Sequence, residues 1–174
     1  NKLRASRNEN NVSVSSRLMV DTIANFYSRT ISTFVKGSLL DLGCGYVPLY
    51  KAYEPYTTEI CCVDWGNTLH KNSYLDVEAD LNEPLPLEND TYETVILSDV
   101  LEHIRLPESL LKEINRIMKP KGYLLLNVPF YYWLHEEPFD YFRYTKYALR
   151  NMLEANGFEI VSLEELGGVP EIIA

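Results

Sequence analysis

Short apolar runs alternate with amphipathic stretches along most of the chain. From about residue 15 to 35, apolar side chains recur at three- and four-residue steps, which predicts an amphipathic helix. The leucine-rich run at 38–42 is too short for a helix and predicts a buried strand. Five more strands are predicted at 59–64, 74–79, 92–97, 123–128 and 158–163. Further helices are predicted at 48–53, from Pro107 to about Met118, and after Thr145.

This alternation of strands and helices predicts an α/β fold. A mostly parallel, doubly wound sheet with helices on both faces is the arrangement that buries such strands. Residues 1–14 are polar and aperiodic and predict a flexible N-terminal arm, which leaves 15–174 as a single domain.

A glycine turn follows the first strand. Gly43 and Gly45 permit backbone angles that are closed to other residues, and they let a ligand approach the main chain closely. A helix after this turn directs its free N–H groups into the same gap. The pattern predicts a nucleotide-type site with Asp41 at its mouth.

Three features of the turn narrow the choice of ligand. A dinucleotide fingerprint needs a third glycine where Pro48 stands, and no Gly-Lys-Ser/Thr ending supplies a phosphate-binding loop. Asp41 would repel a pyrophosphate but suits an ammonium or sulfonium group. Two more acids end predicted strands, where Asp64 can take both hydroxyls of a ribose and Asp80 can accept from an adenine amino group. The sequence therefore favours a nucleoside that carries an amino acid.

Composition and charge restrict the partners. The chain is 46% hydrophobic with a net charge of −9, which argues against a nucleic-acid partner because phosphate binding draws on clustered Lys and Arg. No apolar run approaches the roughly 20 residues that span a bilayer, so we expect no membrane partner. Cys44, Cys61 and Cys62 predict reduced thiols rather than a disulfide framework, and with them a cytoplasmic location.

Six motifs then occur in one order over about residues 38–165. They are L-D-L-G-C-G (40–45), V-D (63–64), A-D-L (79–81), L-P-L-E-N-D-T-Y-E-T-V (85–95), S-D-V-L-E-H-I (98–104) and L-K-E-I-N-R-I-M-K-P-K-G-Y (111–123). With them the chain resembles the class I S-adenosylmethionine-dependent methyltransferases, in particular the type 11-like group that acts on small molecules. The resemblance implies a Rossmann-like sheet of order 3-2-1-4-5-(7)-6 and S-adenosylmethionine as the cofactor.

The resemblance also implies roles for residues. Asp41, Gly43 and Gly45 would face the methionine part of the cofactor, and Ser98 would lie near it. Asp64 would hold the ribose. The complete predicted cofactor set is Asp41, Gly43, Cys44, Gly45, Asp64, Trp65, Asp80, Leu81 and Ser98.

Two features depart from the family pattern. Val47 stands where the family often has glycine, so we expect the main chain to lie further from the methionine carboxylate. The given sequence ends at Ala174, soon after the predicted sixth strand. The seventh strand therefore either lies outside it, or this edge of the sheet is finished differently.

Candidate chemistry follows the fourth strand, in Asp99, Glu102 and His103. This D-x-x-E-H pattern resembles the metal motif of some O-methyltransferases, and His135 could complete a set for Mg²⁺ or Mn²⁺. Related enzymes without a metal also carry L-E-H, where Glu102 and His103 line the pocket. We therefore predict no metal, with Asp99, Glu102, His103 and His135 as the alternative ligands. His103 is predicted to act as a base or a substrate contact.

The aromatic segment 130–144 follows the fifth strand, where this fold often holds its acceptor. Its polar side chains are candidate acceptor contacts, although Arg143 paired with Asp140 or Glu137 is equally a structural brace. Phe139, Phe142 and Tyr144 are either a wall for a ring, or core or dimer contacts, so a homodimer stays open. The predicted catalytic set is His103, His135, Asp140, Tyr141 and Arg143.

Together these patterns predict methyl transfer from S-adenosylmethionine to a small molecule, at a hydroxyl. The choice of a hydroxyl rests on the available base candidates alone. The alternatives are a nicotinamide-dependent oxidoreductase, which Pro48 opposes, and a non-catalytic cofactor-binding regulatory or scaffold subunit that uses 130–144 as an interaction surface.

Overall fold

The computed structural model of the chain describes residues 17–66 and 73–166. The predicted N-terminal arm at 1–14 lies outside the described residues. Within them, helices and strands alternate along most of the chain, as the sequence predicts. The helices are α1 (Arg17–Phe34), α2 (Tyr50–Tyr53), α3 (Pro107–Ile117) and α4 (Lys146–Ala155). The strands are β1 (Gly37–Leu42), β2 (Thr57–Asp64), β3 (Val77–Glu78), β4 (Tyr92–Ser98) and β5 (Met118–Asn127).

The strands form one parallel sheet in the order β3-β2-β1-β4-β5. This order confirms the predicted Rossmann-like α/β class. β1 is the central strand, and its Asp41 is in register with Cys62 of β2 and Ile96 of β4. Because the strands are parallel, the carboxyl ends of β1, β2 and β4 meet at one edge of the sheet, where such sheets bind ligands.

Helices cover both faces of the sheet, as predicted. Leu39 of β1 packs on one face with Tyr27 and Ile31 of α1. Leu40 and Leu42 point to the opposite face and pack in the larger cluster that holds the buried side chains of α3 and α4. This alternation along β1 is the period of two that a strand imposes on its side chains. In the described part of the chain, no helix is long and apolar enough to cross a membrane.

The predicted sixth strand at 158–163 is wrong. The backbone there forms no strand, although Phe158, Ile160 and Leu163 pack against the core and Val161 is 65% exposed. Alternation of apolar and polar residues reports which side chains face the core. It does not report whether the backbone pairs with a neighbouring strand, and here β5 is the outer strand among the described residues.

Two strand boundaries also differ from the prediction. β3 is shorter than expected because the Asp76 carboxylate, instead of a backbone carbonyl, accepts from the N–H of Cys62, at 2.8 Å. β5 begins at Met118, and the register with β4 shifts between Tyr92 and Thr94. Residues 120–122 therefore lie within β5, at the irregularity in its pairing with β4, and not before the strand as predicted.

A charged cluster joins three strands at the opposite edge of the sheet. The Glu93 carboxylate accepts from the N–H of Ser38 at 2.7 Å, from the Ser38 hydroxyl, and from Lys119 Nζ at 2.6 Å. These hydrogen bonds, first that of Lys119 and then those of Ser38, lower the pKa of Glu93 from 4.5 to about 2. The ionised carboxylate therefore ties β1 and β5 to β4.

We expect Glu93→Gln to reduce the free energy of unfolding by about 1 kcal/mol at neutral pH, since these bonds are charge-assisted but half-exposed. The pKa of Glu93 is lower in the folded state, so its contribution is present above pH 4.5 and is lost as the pH falls toward 2. Urea unfolding across this range should show the variant and the wild type converging. Glu159→Gln, at an exposed position, is the control. A constant difference at every pH would contradict the assignment.

Candidate active site

The turn after β1 requires glycine. Gly43 and Gly45 have φ of +66° and +51°, in the left-handed region that favours glycine. A Cβ on Gly43 would lie 2.5 Å from Val100 Cγ2, so no side chain fits there. The N–H groups of Gly43 and Cys44 donate to the Val63 carbonyl at 2.8 and 3.2 Å, which fixes the turn against β2.

A cavity of about 400 Å³ lies over this turn. Its lining includes all nine residues that the sequence predicts for the cofactor: Asp41, Gly43, Cys44, Gly45, Asp64, Trp65, Asp80, Leu81 and Ser98. The three predicted acids therefore face one opening. Five carboxylates and no Lys or Arg line this cavity among the described residues, so its electrostatics favour a cationic ligand.

Asp41 is buried and oriented by a residue that the sequence pattern did not reveal. Its side-chain Oδ2 accepts from the hydroxyl of Tyr53 at 2.8 Å, and Tyr53 is fully buried in α2. Burial raises the pKa of Asp41 to about 6, the Tyr53 hydrogen bond lowers it, and the charge of Asp64 raises it. A tyrosine in the short helix after a glycine turn is the signal that could have identified this contact.

The other two acids hold the loops around the cavity. Asp64 accepts from the N–H of Gly45 through Oδ2 at 3.1 Å and from the N–H of Trp65 through Oδ1 at 2.8 Å. Each carboxylate oxygen can accept more than one hydrogen bond, so both keep capacity for a ligand. Asp80 is exposed, and its Oδ1 accepts from the backbone and the side-chain amide of Asn82, each at 2.9 Å.

The first cavity is also lined by residues that the sequence did not predict as cofactor contacts. They are Tyr46, Pro48, Leu49, Asn82, Asp99, Val100, His103, Ile104, Glu136 and Phe139. Phe139 meets Trp65 edge-on, with ring centroids 5.3 Å apart. The segment 130–144 therefore reaches the cofactor side of the site as well as the acceptor side. This contact joins distant parts of the chain, so no local pattern signals it.

Val47 has a left-handed backbone, the conformation that favours glycine. Its φ is +49°, and its buried side chain packs with Cys44 and Cys62, outside the cavity lining. Packing of a buried valine offsets the strain of a left-handed β-branched residue. The expected displacement of the main chain from the ligand stays a prediction.

A second cavity, of about 730 Å³, adjoins the first and shares Asp99, His103 and Glu136 with it. Apolar side chains of α1 and aromatic residues from 130–147 form much of its wall. These are Met19, Val20, Ile23, Phe26, Phe130, Tyr131, Tyr132, Tyr144 and Tyr147. The shared residues stand where a molecule in one cavity would meet a molecule in the other.

Glu102, His103 and His135 come together in the wall of the second cavity. Glu102 is fully buried, and neither of its side-chain oxygens has a hydrogen-bond partner. Its Oε1 lies 3.7 Å from His103 Nε2 and 3.9 Å from His135 Nε2. Burial first, and then the charge of Asp99, raises the pKa of Glu102 to about 8.

Both imidazoles are held at their other ring nitrogen. His103 Nδ1 lies 3.0 Å from the Phe139 carbonyl. His135 Nδ1 lies 3.2 Å from the Trp133 carbonyl and 3.3 Å from Asp140 Oδ2. A carbonyl oxygen only accepts, so we assign the proton of each neutral ring to Nδ1, which leaves a lone pair on each Nε2.

Asp99 does not join this cluster. Its Oδ1 accepts from the Asn127 side-chain amide at 2.7 Å, and its Oδ2 accepts from the Ser98 hydroxyl at 3.4 Å. Asp99 lines both cavities. Desolvation of its carboxylate by the surrounding protein raises the pKa of Asp99 to about 6. Of the four alternative metal ligands, the three others have donor atoms within 4.8 Å of one another.

The remaining predicted catalytic residues lie behind the cavity wall. Asp140 accepts from Arg143 Nη2 at 2.8 Å and from the N–H of His135 at 3.0 Å, and the Arg143 bond holds the pKa of Asp140 well below its usual range. Arg143 also donates to the carbonyls of Tyr132 and Trp133. This geometry favours the structural brace over an acceptor contact for both residues.

Of the aromatic residues near this brace, Tyr141 lines neither cavity. It donates its backbone N–H to the Glu102 carbonyl at 2.9 Å while its ring is 41% exposed. Tyr144 is a buried wall residue, and its hydroxyl donates to the Leu101 carbonyl at 3.1 Å. Phe139 and Phe142 are exposed. Phe139 and Tyr144 therefore belong to cavity walls, whereas Tyr141 and Phe142 are exposed outside both cavities.

A doubly wound sheet with a bare glycine turn and acids at its strand ends defines a Rossmann-like nucleoside-binding protein. The sequence profile of the family described as "Methyltransferase domain" matches residues 16–163, and the chain belongs to this family. It is an S-adenosylmethionine-dependent methyltransferase domain. No curated protein matches it in sequence.

Several solved structures share the fold. The chain in complex with the Trm112 methyltransferase activator of Haloferax volcanii has a TM-score of 0.69 at 17% identity, over 80% of this chain and 72% of that chain. A SAM-dependent methyltransferase of Aquifex aeolicus has a TM-score of 0.66 at 17% identity, over 87% of each chain. A SAM-dependent methyltransferase of Archaeoglobus fulgidus has a TM-score of 0.65 at 21% identity, over 81% of this chain and 69% of that chain. At these identities the likeness concerns the fold alone.

The first cavity fits the cofactor of this family. Its excess of carboxylates suits a sulfonium and an ammonium group, and the two glycines of the turn let a ligand approach the main chain closely. The buried side chain of Leu81 supplies apolar cover for a base. All nine residues that the sequence predicts for the cofactor line this cavity.

We expect cofactor affinity to fall as the pH is lowered through about 6, because Asp41 takes up a proton there and loses its charge. Tyr53→Phe removes a hydrogen bond that favours the ionised form, so the midpoint should rise by about 0.5–1 pH unit. Calorimetric titration with S-adenosylhomocysteine from pH 5 to 8 measures it. Tyr56→Phe, which removes an exposed hydroxyl nearby, is the control. Equal midpoints in the wild type and Tyr53→Phe would contradict this role.

Proposed function

We propose that this methyltransferase methylates a hydroxyl group of a small molecule that binds in the second cavity. One observation carries the proposal: the second cavity meets the cofactor-side cavity at Asp99, His103 and Glu136. A methyl donor in one cavity and an acceptor in the other would meet at this junction. Methyl transfer needs such an in-line approach of the two reacting atoms.

The walls of the second cavity favour an apolar or aromatic acceptor that is neutral or cationic. Aromatic and aliphatic side chains supply most of its surface, while the carboxylates of Asp99 and Glu136 line the junction. Lys146 also lines the cavity, but its Nζ pairs with Glu165 Oε1 at 3.1 Å. An anionic acceptor would meet repulsion that this single paired amine does not offset.

The chemistry needs a group that activates the acceptor hydroxyl. S-adenosylmethionine, when bound, supplies the methyl group and takes the electrons of its broken C–S bond onto sulfur. The protein must align the acceptor oxygen, exclude water and remove the hydroxyl proton, for which a base or a metal is required. We assign that task to the cluster of Glu102, His103 and His135, because two ring nitrogens with free lone pairs converge there.

On the cofactor side, we propose that Asp41, Gly43, Cys44, Gly45 and Ser98 contact the methionine part. Asp64 and Trp65 would hold the ribose, and Asp80 and Leu81 the adenine. Their common place around one cavity supports the assignment. All three cysteines are free, which supports the reducing cytoplasmic setting that we propose.

The alternatives have less support. A nicotinamide-dependent oxidoreductase is opposed by the family to which the chain belongs. A non-catalytic regulatory or scaffold subunit would bind the cofactor but would not need the convergent imidazoles. Homodimerisation through the exposed rings of 130–144 stays a prediction.

The ribose assignment predicts that Asp64→Ala weakens binding of S-adenosylhomocysteine by about 1.5–3 kcal/mol, or roughly 10- to 150-fold, the range for a charge-assisted hydrogen bond. Isothermal titration calorimetry at pH 7.5 gives the affinities. Glu108→Ala removes an equal charge from the exposed start of α3 and should leave binding unchanged. An unaltered affinity in Asp64→Ala would remove the ribose assignment.

The acceptor assignment predicts that His103→Asn keeps its affinity for S-adenosylhomocysteine while methyl transfer falls about 100- to 10,000-fold. S-adenosylhomocysteine formation is measured with phenols that share one ring and differ in charge: 4-ethylphenol, tyramine and 4-hydroxyphenylacetate. We expect the neutral and cationic members to be methylated in preference to the anion. Faster turnover of the anion would reject the proposed acceptor class, and undiminished turnover in His103→Asn would reject the role of the cluster.

A further inference from the structure

We propose that Glu102, His103 and His135 bind a divalent transition-metal cation such as Zn²⁺ in the wall of the second cavity. Membership of the family requires no such site, and the sequence favoured its absence. Binding of the cation is independent of the proposed function, whereas its catalytic use rests on it. The inference comes from three features of the described residues: donor spacing, an unpartnered carboxylate and oriented imidazoles.

The three donor atoms have the spacing of a slightly open metal site. Glu102 Oε1 lies 3.7 Å from His103 Nε2 and 3.9 Å from His135 Nε2, and all three atoms lie within 4.8 Å of one another. These separations are too long for direct hydrogen bonds. A tetrahedral zinc ion with ligands at about 2.0–2.1 Å holds them about 3.4 Å apart. The two Glu102 separations need to shorten by only about 0.3–0.5 Å, and the separation of the two imidazole nitrogens, at most 4.8 Å, by up to about 1.4 Å, which side-chain rotation can supply.

The second feature is the carboxylate of Glu102. It is fully buried, and neither oxygen has a hydrogen-bond partner. A buried carboxylate is costly unless a cation or a donor meets it. The guanidinium of Arg143, whose charge acts on Glu102, is already bonded to Asp140. A cation between Glu102 and the two imidazoles supplies the missing partner.

The third feature is the orientation of the imidazoles. Each ring is fixed at Nδ1 by an oxygen acceptor, Phe139 O for His103 and Trp133 O with Asp140 for His135, which leaves the Nε2 atom near Glu102 with its lone pair. Metal-binding histidines are held in this way by the partner of their other ring nitrogen. Asp140, itself fixed by Arg143, is then a positioning residue.

The donor types select the kind of cation. Two imidazoles and one carboxylate suit Zn²⁺ and its transition-metal neighbours, whereas Mg²⁺ prefers oxygen ligands. Three protein ligands leave a coordination position for the acceptor oxygen. Coordination lowers the pKa of a hydroxyl, so its O–H bond breaks, the proton passes to water and the electron pair remains on oxygen for methyl transfer.

The test uses the full chain, first freed of metal with EDTA and then dialysed. Zn²⁺ and Mg²⁺ are titrated by calorimetry, and Co²⁺ serves as a spectroscopic substitute. We expect one Zn²⁺ per chain with micromolar or tighter affinity, much weaker Mg²⁺ binding, and visible Co²⁺ absorption typical of a tetrahedral nitrogen and oxygen site. Glu102→Gln, His103→Asn and His135→Asn should each weaken Zn²⁺ binding at least 100-fold. Asp140→Asn should weaken it by roughly 10- to 100-fold, as outer partners of metal ligands do.

Two controls make the result decisive. Glu108→Gln should leave Zn²⁺ binding unchanged, and a thiolate charge-transfer band with Co²⁺ would assign the metal to cysteines and overturn the proposal. Absent Zn²⁺ binding, or affinity retained in all three ligand variants, would overturn it as well. S-adenosylhomocysteine affinity and thermal unfolding are measured on the same samples. Cofactor binding without Zn²⁺ binding rejects the metal site alone, and Zn²⁺ binding without cofactor binding rejects the cofactor assignment alone.

Discussion

The site depends on the bend between β1 and the helix that follows, which has no room for a side chain at Gly43. Val100 approaches so closely that a Cβ on Gly43 would overlap it, and the Val63 carbonyl takes the two N–H groups of the bend. The parallel ladders that join β1 to β2 and β4 bring this bend to the edge where Asp41, Asp64 and Ser98 also lie. One backbone constraint thereby fixes both the opening and the acids around it.

The segment 130–144 joins the two halves of the site. Its Glu136 and Phe139 face the cofactor side, while His135 faces the acceptor side. Because the segment is irregular, no helix or strand fixes these side chains. The pair of Asp140 and Arg143 does so instead, since Arg143 holds the carbonyls of Tyr132 and Trp133 and Asp140 holds the backbone of His135. A charged brace thus takes the place of regular secondary structure.

The sequence could predict the buried strands of the core and the acids at their ends, because buried parallel strands are short apolar runs and ligands bind at their carboxyl ends, while the order of the strands came from the family resemblance. It misplaced a strand at 158–163, where apolar alternation marks burial without pairing. It could not predict the Tyr53 hydroxyl on Asp41 or the unpartnered carboxylate of Glu102, since both depend on which side chains tertiary packing brings together. It left open whether Arg143 contacts the acceptor or is a structural brace, and the distances from Arg143 to Asp140 favour the brace.

Burial and charge oppose each other at this edge of the sheet. Burial raises the pKa of Asp41 to about 6 and that of Glu102 to about 8, which means that ionising either carboxyl costs more free energy in the folded protein than in water. A cationic ligand relieves that cost at the first cavity, and a metal cation would relieve it at the second. Any ligand that binds the folded state more tightly than the unfolded chain stabilises it by mass action. The same carboxylates that weaken the ligand-free protein therefore select the positive charge of what it binds.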